Sequence, residues 1–376
     1  MPLPKVDSPE WAELIKVYPT STPEQRDKWA EELGYGNRDN FINAMTRRKI
    51  FINQATPSIT AEQPTPVINL PPVELKKYTP INAGRIGNPE TQVLHLTDWH
   101  DGEITPSFDH GVLKVRAEHL FQATMRITTL HRNSYPVNDL VIPITGDMVA
   151  GENVYQGAKV STISCGARDQ VITLAFPLLT ELILSLKQEF KTVTLECVRG
   201  NHGRYSREAP ATSNWDLMLY DLLKTKLEQY DIKVNISNEF YKMVDIQGHR
   251  FFLVHLDQFR ATQGVPWFAM TKGLQSWYVT YGGFDYVVGG HFHRDDFLRI
   301  NSRCKLIMGA SMVTDDPFTQ EVVKTSSIPC QWTFGVHKNK GITWPYSLIV
   351  DDKYFPAAAR ISNPSLNGKE AQLTRS

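Results

Sequence analysis

The chain has 376 residues, of which 41% are hydrophobic and 21% are charged, as in an ordinary globular protein. This length allows one large α/β domain and a small second domain. Lys plus Arg and Asp plus Glu number 40 each, so net charge gives the molecule no bulk attraction to nucleic acid or membrane, although it does not exclude a local basic patch. The four cysteines are scattered, which favours buried thiols over a disulfide framework or a zinc knuckle.

Targeting signals are not evident in the sequence. The N-terminal residues do not form a charged and then apolar leader, and no apolar run approaches the length of a membrane span. We therefore expect a cytoplasmic protein that does not act on membranes. A homo-oligomer is a further expectation, although the sequence does not reveal the oligomeric state.

The front of the chain predicts two short helices joined by a glycine turn, after a start (1–20) that shows no clear pattern. Thr22–Pro23 is a suitable N-cap and first helical residue, while Gly34 and Gly36 interrupt the helical pattern. A basic run ends the second helix. Such a pair is typical of a helix-turn-helix whose second helix enters the major groove of DNA, and a hairpin for packing or self-association fits the same pattern. We favour a helix-turn-helix-like, DNA-binding module at residues 1–52.

A proline-rich segment separates this module from the remainder. Residues 53–88 hold six prolines and little periodicity, which predicts an extended linker. The main domain is predicted at residues 89–352, and a polar tail at residues 353–376.

Five short apolar runs in the main domain end in polar residues. Short runs with β-branched residues predict strands, and amphipathic helical patterns between them predict an α/β fold. The carboxyl ends of parallel strands line the functional crevice of such a fold. Strands that deliver Asp, Asn and His to one edge therefore predict a shared metal site. The residues at the ends of the five runs are Asp98 with His100, Asp147, Asn201 with His202, His255, and His291 with His293.

The chain resembles the calcineurin-like metallophosphoesterase family over about residues 89–310, because it carries five motifs of that family in order. The motifs are Asp98-x-His100, Gly146-Asp147, Gly200-Asn201-His202, His255 and Gly290-His291-x-His293. The resemblance implies a four-layer αββα sandwich of two mixed sheets, with two metal ions bridged by one carboxylate.

The same resemblance implies a role for each motif residue. His202 would lie over the phosphate, where it would protonate the leaving oxygen or stabilise the transition state. The remaining seven would bind metal: Asp98, His100 and His293 the first ion, Asn201, His255 and His291 the second, with Asp147 as the bridge.

Two divalent ions ~3.5–4 Å apart would polarise a phosphoryl group and lower the pKa of a bridging water toward neutrality. The resulting hydroxide would attack phosphorus in line, and the two metal ions would neutralise the negative charge on the equatorial oxygens. Mixed nitrogen and oxygen ligands suit Mn²⁺, Fe or Zn²⁺ better than Mg²⁺, and we predict Mn²⁺.

Each motif has a plainer interpretation when taken alone. A histidine such as His255 at a strand end is more often a hydrogen-bonded core residue than a ligand, and Gly146-Asp147 is often only a turn. His291 and His293 would be a surface pair. These interpretations would all have to hold at once, so we prefer the shared metal site.

The chain departs from the family pattern directly after His202. Gly203 stands where many members carry Asp or Glu, so an acidic partner for the histidine is missing there. Asp101, Glu152 or Asp257 would have to replace it.

Two arginines follow this glycine. The guanidinium groups of Arg204 and Arg207 match phosphate oxygens, so we predict that both bind substrate. A salt bridge from Arg204 to a neighbouring acid fits the sequence nearly as well.

Three functions fit these observations. The first is a nuclease closest in character to the Mre11/SbcD group, with DNA as substrate, because of the front module and the arginines. The second is a phosphatase or phosphodiesterase of small molecules or phosphoproteins, although the continuation typical of phosphoprotein phosphatases is missing after Asp147. The third is a DNA-binding protein on a degenerate phosphoesterase scaffold, which the complete set of ligand residues argues against.

Overall fold

The computed structural model describes residues 8–47, 50, 88–152, 162–206, 208–260, 266–315 and 328–351. The predicted linker up to residue 87, the predicted tail and Arg207 lie outside the described residues. The chain divides into two compact units, residues 1–69 and 70–376.

The first unit contains three short helices, α1 (Pro9–Val17), α2 (Pro23–Glu32) and α3 (Arg38–Arg47). Thr22 forms a capping box at the start of α2, and a glycine turn separates α2 from α3, as predicted. Helix α1 was not predicted, because the prolines of residues 1–20 favour an irregular chain. Pro9 in fact stands at the first helical position, where no backbone N–H is needed. The three helices enclose a small core of Trp11, Leu14, Tyr18, Ala30, Phe41 and Met45.

The second unit is built on two mixed β-sheets. The strands of the first sheet are β1 (Glu90–His95), β2 (Val137–Ile144), β3 (Thr192–Cys197), β4 (Ile232–Ile236), β10 (Cys330–His337), β11 (Gly341–Ile342) and β12 (Tyr346–Ile349). Their order is β11-β10-β1-β2-β3-β4, with β12 also paired to β10. Strands β1 to β4 are parallel, whereas β10 is antiparallel to β1.

The second sheet has the order β5-β6-β7-β9-β8. Strands β6, β7 and β9 are parallel, and the two edge strands are antiparallel to their neighbours. The strands are β5 (Tyr241–Ile246), β6 (His249–Val254), β7 (Tyr286–Gly289), β8 (Asp296–Arg299) and β9 (Lys305–Met308).

Helices cover the outer face of each sheet. Helices α4 (His110–Arg132), α6 (Phe176–Lys187) and α7 (Trp215–Leu227) contact the first sheet, and α8 (Trp267–Thr280) packs on the second. The two sheets face each other across a core that includes Val93, Phe251, Val288, Ile307 and Phe334. This is the predicted four-layer αββα sandwich.

One helical stretch corrects a prediction about apolar runs. Ala167–Lys187 comprises α5 (Ala167–Asp169), a π-helical turn (Gln170–Ala175) and α6. It is the single stretch in the described part of the chain that is long and apolar enough to cross a membrane, with a mean hydropathy of 1.5. However, 61% of its most apolar 18-residue window is buried inside the protein, where α6 packs between α4 and α7. Core packing therefore accounts for its composition.

Candidate metal centre

The eight motif residues meet at one edge of the second unit. They follow the carboxyl ends of β1, β2 and β3 in the first sheet and of β6 and β7 in the second. The two sheets therefore contribute to a single site, because their parallel strands end on the same side.

Asp98, His100 and His293 form one group of donor atoms. His100 Nε2 lies 3.0 Å from His293 Nε2, and Asp98 Oδ1 lies 3.7 Å and 3.4 Å from these two atoms. All three side chains are buried. Two imidazole nitrogens and a carboxylate oxygen that converge in this way offer their lone pairs to a common cation.

Asp147, His255 and His291 form a second group, in which the donor atoms lie within 4.8 Å of one another. His255 Nε2 lies 2.8 Å from Asp147 Oδ2 and 3.1 Å from Asn201 Oδ1. The other ring nitrogen of His255 lies 2.7 Å from the carbonyl oxygen of Thr145, a hydrogen bond that directs Nε2 into the group. Asp147 is also within 4.8 Å of His100, so it lies between the two groups, as a bridging residue must.

Five of these residues have left-handed backbone conformations. The φ angles of Asp98, His100, Asp147, His291 and His293 lie between 46° and 73°. Such a conformation costs a non-glycine residue ~1–3 kcal/mol. The nine described non-glycine residues with positive φ thus include five of the seven predicted ligands. The sharp turns that cause this strain direct neighbouring side chains toward one point.

Glycines let the ligand-bearing loops approach one another. A Cβ atom on Gly146 would lie 2.2 Å from the backbone nitrogen of Gly200, and one on Gly200 would lie 2.1 Å from Asp147 Oδ1. Any larger residue at either position would separate the loops after β2 and β3. The Gly-Asp and Gly-Asn-His motifs therefore depend on each other sterically.

The charges of the site suit a divalent cation. Burial opposes ionisation of Asp147, but His255 and His202 hold the pKa of its carboxyl well below the usual range. Burial would lower the pKa of His255, yet the adjacent Asp147 carboxylate raises it to about 10. Burial and then His255 lower the pKa of His291 to about 3, so His291 is a neutral donor. A cation would take the place of the proton on His255.

The residues present therefore fit the two metal ions that the sequence resemblance implies. Asp98, His100 and His293 would hold one ion, and Asn201, His255 and His291 the other, with Asp147 shared. Imidazole nitrogens mixed with carboxylate and amide oxygens are the donors expected for Mn²⁺, Fe or Zn²⁺.

His202 lies beside both groups, with its ring centre 4.3 Å from that of His100. Its backbone N–H donates to Asp147 Oδ1 at 2.7 Å, and its Nδ1 lies 3.0 Å from the carbonyl oxygen of Ala150. A carbonyl can only accept, so Nδ1 carries the hydrogen and Nε2 is left to face the site. Burial lowers the pKa of His202 to about 4, with Asp147 acting in the opposite direction.

The acid expected to support His202 is replaced by this backbone carbonyl. Asp101 bonds to His110 at 2.8 Å, Glu152 accepts from the backbone N–H of Ala167 at 2.6 Å, and Asp257 pairs with Arg204. Within the described part of the chain, none of the three predicted acids contacts His202. The carbonyl of Ala150 fixes the same ring nitrogen that a carboxylate would.

Arg204 lies in a groove next to the metal centre. It forms an ion pair with Asp257, the alternative that the sequence left open. The groove has a volume of about 650 Å³ and is also lined by Gly200, Arg199 and Arg260. These two arginines were missed from the sequence, and the available signal was their closeness to motif residues, Arg199 directly before Gly200 and Arg260 five residues after His255.

A match to a known protein family covers the part of the chain that bears the metal centre. A family model for calcineurin-like phosphoesterases matches residues 91–295, which is 205 of the 376 residues. No curated protein gives a significant match. A solved archaeal phosphodiesterase is 13% identical with a TM-score of 0.33, and the alignment covers 68% of this chain and 99% of that one.

Two further structures are similar at the same low level. Vps29 from Entamoeba histolytica, solved with zinc, is 11% identical with a TM-score of 0.31, covering 68% of this chain and 99% of that chain. The 5'-nucleotidase from Candida albicans is 15% identical with a TM-score of 0.33, covering 73% and 53%. Because the family model matches more than half of the sequence, the chain belongs to the calcineurin-like phosphoesterases, a family of metal-dependent phosphoester hydrolases.

Proposed function

We propose that this protein is a nuclease that hydrolyses phosphodiester bonds of nucleic acid, with DNA as the favoured substrate and Mn²⁺ as the favoured metal. The observation that carries the proposal is the arginine groove, defined by Arg199, Arg204 and Arg260, whose lining includes Gly200, the residue before the predicted ligand Asn201. A substrate phosphate at the metal centre would therefore have positive charge beside it on one side.

The groove favours a polymer because of the spacing of charge in nucleic acids. A small phosphoester needs only the metal centre, whereas a nucleic-acid strand carries further phosphates that must be neutralised. Among the described residues that line the groove, three guanidinium groups oppose one carboxylate, that of Asp257. Tyr205, the residue after Arg204 in the chain, is 62% exposed, and its ring centre lies 6.2 Å from that of Trp215. Its ring would offer a stacking surface to a base.

The mechanism divides between the metal ions and the residues of the chain. When bound, the two ions would polarise the phosphoryl group and lower the pKa of the attacking water. The carbonyl of Ala150 orients the ring of His202 so that Nε2 faces the site. An approaching phosphodiester anion opposes the effect of burial on the pKa of His202, so that Nε2 can hold a proton and give it to the leaving oxygen.

The front helical unit is proposed to bind DNA. Helix α3 begins with Arg38 and ends with Arg47, although Arg38 also pairs with Asp27 at 3.2 Å. The basic residues that follow Arg47 lie outside the described residues. A helical unit of this kind would increase the affinity for a long substrate without contributing to the chemistry.

A second candidate is a phosphatase or phosphodiesterase of small molecules or phosphoproteins. The Arg204–Asp257 ion pair favours it, because a nucleic-acid phosphate would have to compete with Asp257 for the guanidinium group. In that case the groove would contribute little to substrate affinity.

One experiment separates the two candidates. Mn²⁺-dependent hydrolysis is measured on labelled single- and double-stranded DNA and on bis-p-nitrophenyl phosphate, with His202→Ala as the control. We expect the parent protein to cleave both kinds of substrate and the variant to lose cleavage of DNA. Cleavage of the small diester alone would contradict the nuclease proposal and support the second candidate. No cleavage of either would contradict the nuclease proposal and leave only a phosphatase of monoesters.

A further inference from the structure

A carboxylate outside the predicted ligand set lies behind the metal centre. Asp216 is in the first turn of α7 and is completely buried. Its Oδ2 accepts hydrogen bonds from the backbone N–H groups of Asp147 at 3.0 Å and Gly200 at 2.9 Å. Its Oδ1 accepts from the backbone N–H of Met148 at 3.1 Å. Both oxygens therefore bind backbone, and neither is directed at substrate.

These three N–H groups belong to the two loops that carry ligands. Asp147 and Met148 lie beyond the end of β2, and Gly200 lies beyond the end of β3, directly before Asn201. Strand pairing between β2 and β3 ends at Ile144 and Cys197, so it does not hold these amides. The carboxylate of Asp216 joins the two loops to each other and to the start of α7. A buried carboxylate forms stronger hydrogen bonds to N–H groups than a neutral acceptor does.

The absence of a side chain at Gly203 allows the start of α7, which carries Asp216, to approach the loop after β3. A Cβ atom on Gly203 would lie 2.3 Å from Asn214 Oδ1 and 3.0 Å from the backbone nitrogen of Asp216. Asn214 caps α7 by accepting from that nitrogen at 2.8 Å, and its amide donates to the carbonyl oxygen of Gly200 at 3.0 Å. The start of α7 therefore occupies the space that a side chain at position 203 would need.

We propose that Asp216 is a positioning residue for the metal centre, which keeps the loops bearing Asp147 and Asn201 at the separation that two shared ions require. The close packing of Gly203 against Asn214 and Asp216 places the Asp216 carboxylate next to these two loops. The inference concerns metal binding alone, so it does not depend on whether the substrate is nucleic acid.

Asp216→Asn tests the proposal with Mn²⁺ alone as the probe. The variant keeps the size of the side chain, but its NH₂ group must face at least one backbone N–H, which removes an acceptor from a ligand-bearing loop. Calorimetric titration of the metal-free full chain with Mn²⁺ should show at least tenfold weaker binding, in line with the ~10–100-fold effect of changes behind metal ligands. Thermal unfolding of the same metal-free samples measures how far the substitution lowers the unfolding temperature.

Tyr220→Phe is the matched control. Tyr220 lies one turn further along α7, is also buried, and donates to the carbonyl oxygen of Val198 at 3.1 Å. Loss of the hydroxyl removes its hydrogen bonds with the backbone of Val198 and of Gly146 but leaves the amides of Asp147 and Gly200 bonded to Asp216. We expect a lower unfolding temperature with Mn²⁺ affinity within twofold of the parent.

Gly203→Ala provides a second route if Asp216→Asn does not fold. It leaves the carboxylate in the chain and pushes the start of α7 away from the loops, so Mn²⁺ affinity should fall at least threefold. Parent-like affinity in whichever of these two variants folds would overturn the proposal. So would an equal loss of affinity in Tyr220→Phe, since the effect would then be one of helix stability.

Discussion

The metal centre and the arginine groove lie side by side and are built in opposite ways. At the metal centre, Asp98, His100, Asp147 and His255 are at most 1% exposed and are fixed by strained turns and buried hydrogen bonds. In the groove, the Arg204 side chain is 48% exposed and its charge is already engaged by Asp257. The two regions meet at Gly200.

This difference in burial predicts how substitutions in the two regions affect activity on different substrates. Buried donors on strained backbone have one arrangement, so a substitution there should affect every substrate equally. Long exposed side chains have several arrangements, so a substitution in the groove should affect one class of substrate more than another. Each prediction below tests one side of this contrast.

The largest effect is expected for Asp147→Asn. Asp147 lies within reach of donor atoms from both groups, and the amide would replace a charged shared ligand by a neutral one. We expect loss of bound metal and a fall in turnover of about 10³-fold or more, equivalent to about 4 kcal/mol of barrier. Metal analysis of the purified protein and hydrolysis of bis-p-nitrophenyl phosphate measure the two effects. Parent-like metal content would show that Asp147 is not a shared ligand.

His202→Ala should be nearly as damaging but for a different reason. Loss of a proton donor costs roughly 10²–10⁴-fold in rate on DNA, whose alkoxide leaving group needs the proton. The loss should be smaller on the small diester, whose nitrophenolate leaving group is stable without it. Metal content should equal that of the parent, because His202 is not one of the seven predicted ligands. Metal loss in this variant would instead place His202 among the ligands, together with His100 and Asp147.

Removal of the metal should make the stability of the protein depend on pH. The pKa of His255 is raised to about 10 in the folded protein, above its ordinary value of 6.5, despite the opposing effect of burial. The stability that its charge contributes is therefore complete below pH 6.5 and is lost as the pH rises toward 10. Thermal unfolding of the chelator-treated protein across this range should show a falling midpoint. Asp147→Asn, which removes the main cause of the raised pKa, should flatten the curve, and an unchanged slope would contradict this origin.

Substitutions in the groove should separate the substrates. The double variant Arg204→Ala/Arg260→Ala should cleave DNA about tenfold more slowly and bis-p-nitrophenyl phosphate at a rate within twofold of the parent. The slope of log affinity for DNA against log salt concentration should fall by about two, one for each lost phosphate contact. Asp257→Asn should act in the opposite direction, because it releases Arg204 for phosphate. Arg303→Ala, an exposed arginine outside the groove, is the control. Equal losses on both substrates would exclude a role in holding a polymer.

The smallest effect on chemistry is expected from deletion of residues 1–52. Hydrolysis of bis-p-nitrophenyl phosphate should stay within twofold of the parent, because the predicted ligands and His202 all lie in the second unit. Binding of DNA, measured by fluorescence anisotropy, should weaken in a salt-dependent way. An inactive truncation would show that the helices of the first unit are required by the core.

The fold class and the residues of the metal edge were predictable because their signals are local. Each predicted ligand lies within a few residues of the end of an apolar run, and parallel strands of one sheet end at a common edge, so Asp98 and Asp147 could be assigned to one site from sequence alone. His255 follows a strand of the other sheet, and it was the family resemblance that joined it to them. The same reasoning missed β10, a buried strand that lies next to β1 although it follows it by more than 200 residues. Pairing between distant strands has no local signal.

The sequence by itself determined which donor atoms meet and the order in which the strands deliver them. Only the tertiary structure decided what holds those atoms in place. The carbonyl of Ala150 orients His202 across 52 positions of the chain, and the carboxylate of Asp216 reaches Asp147 across 69. Both contacts depend on the approach of loops whose glycines leave no room between them, and such an approach exists only after the sheet has formed.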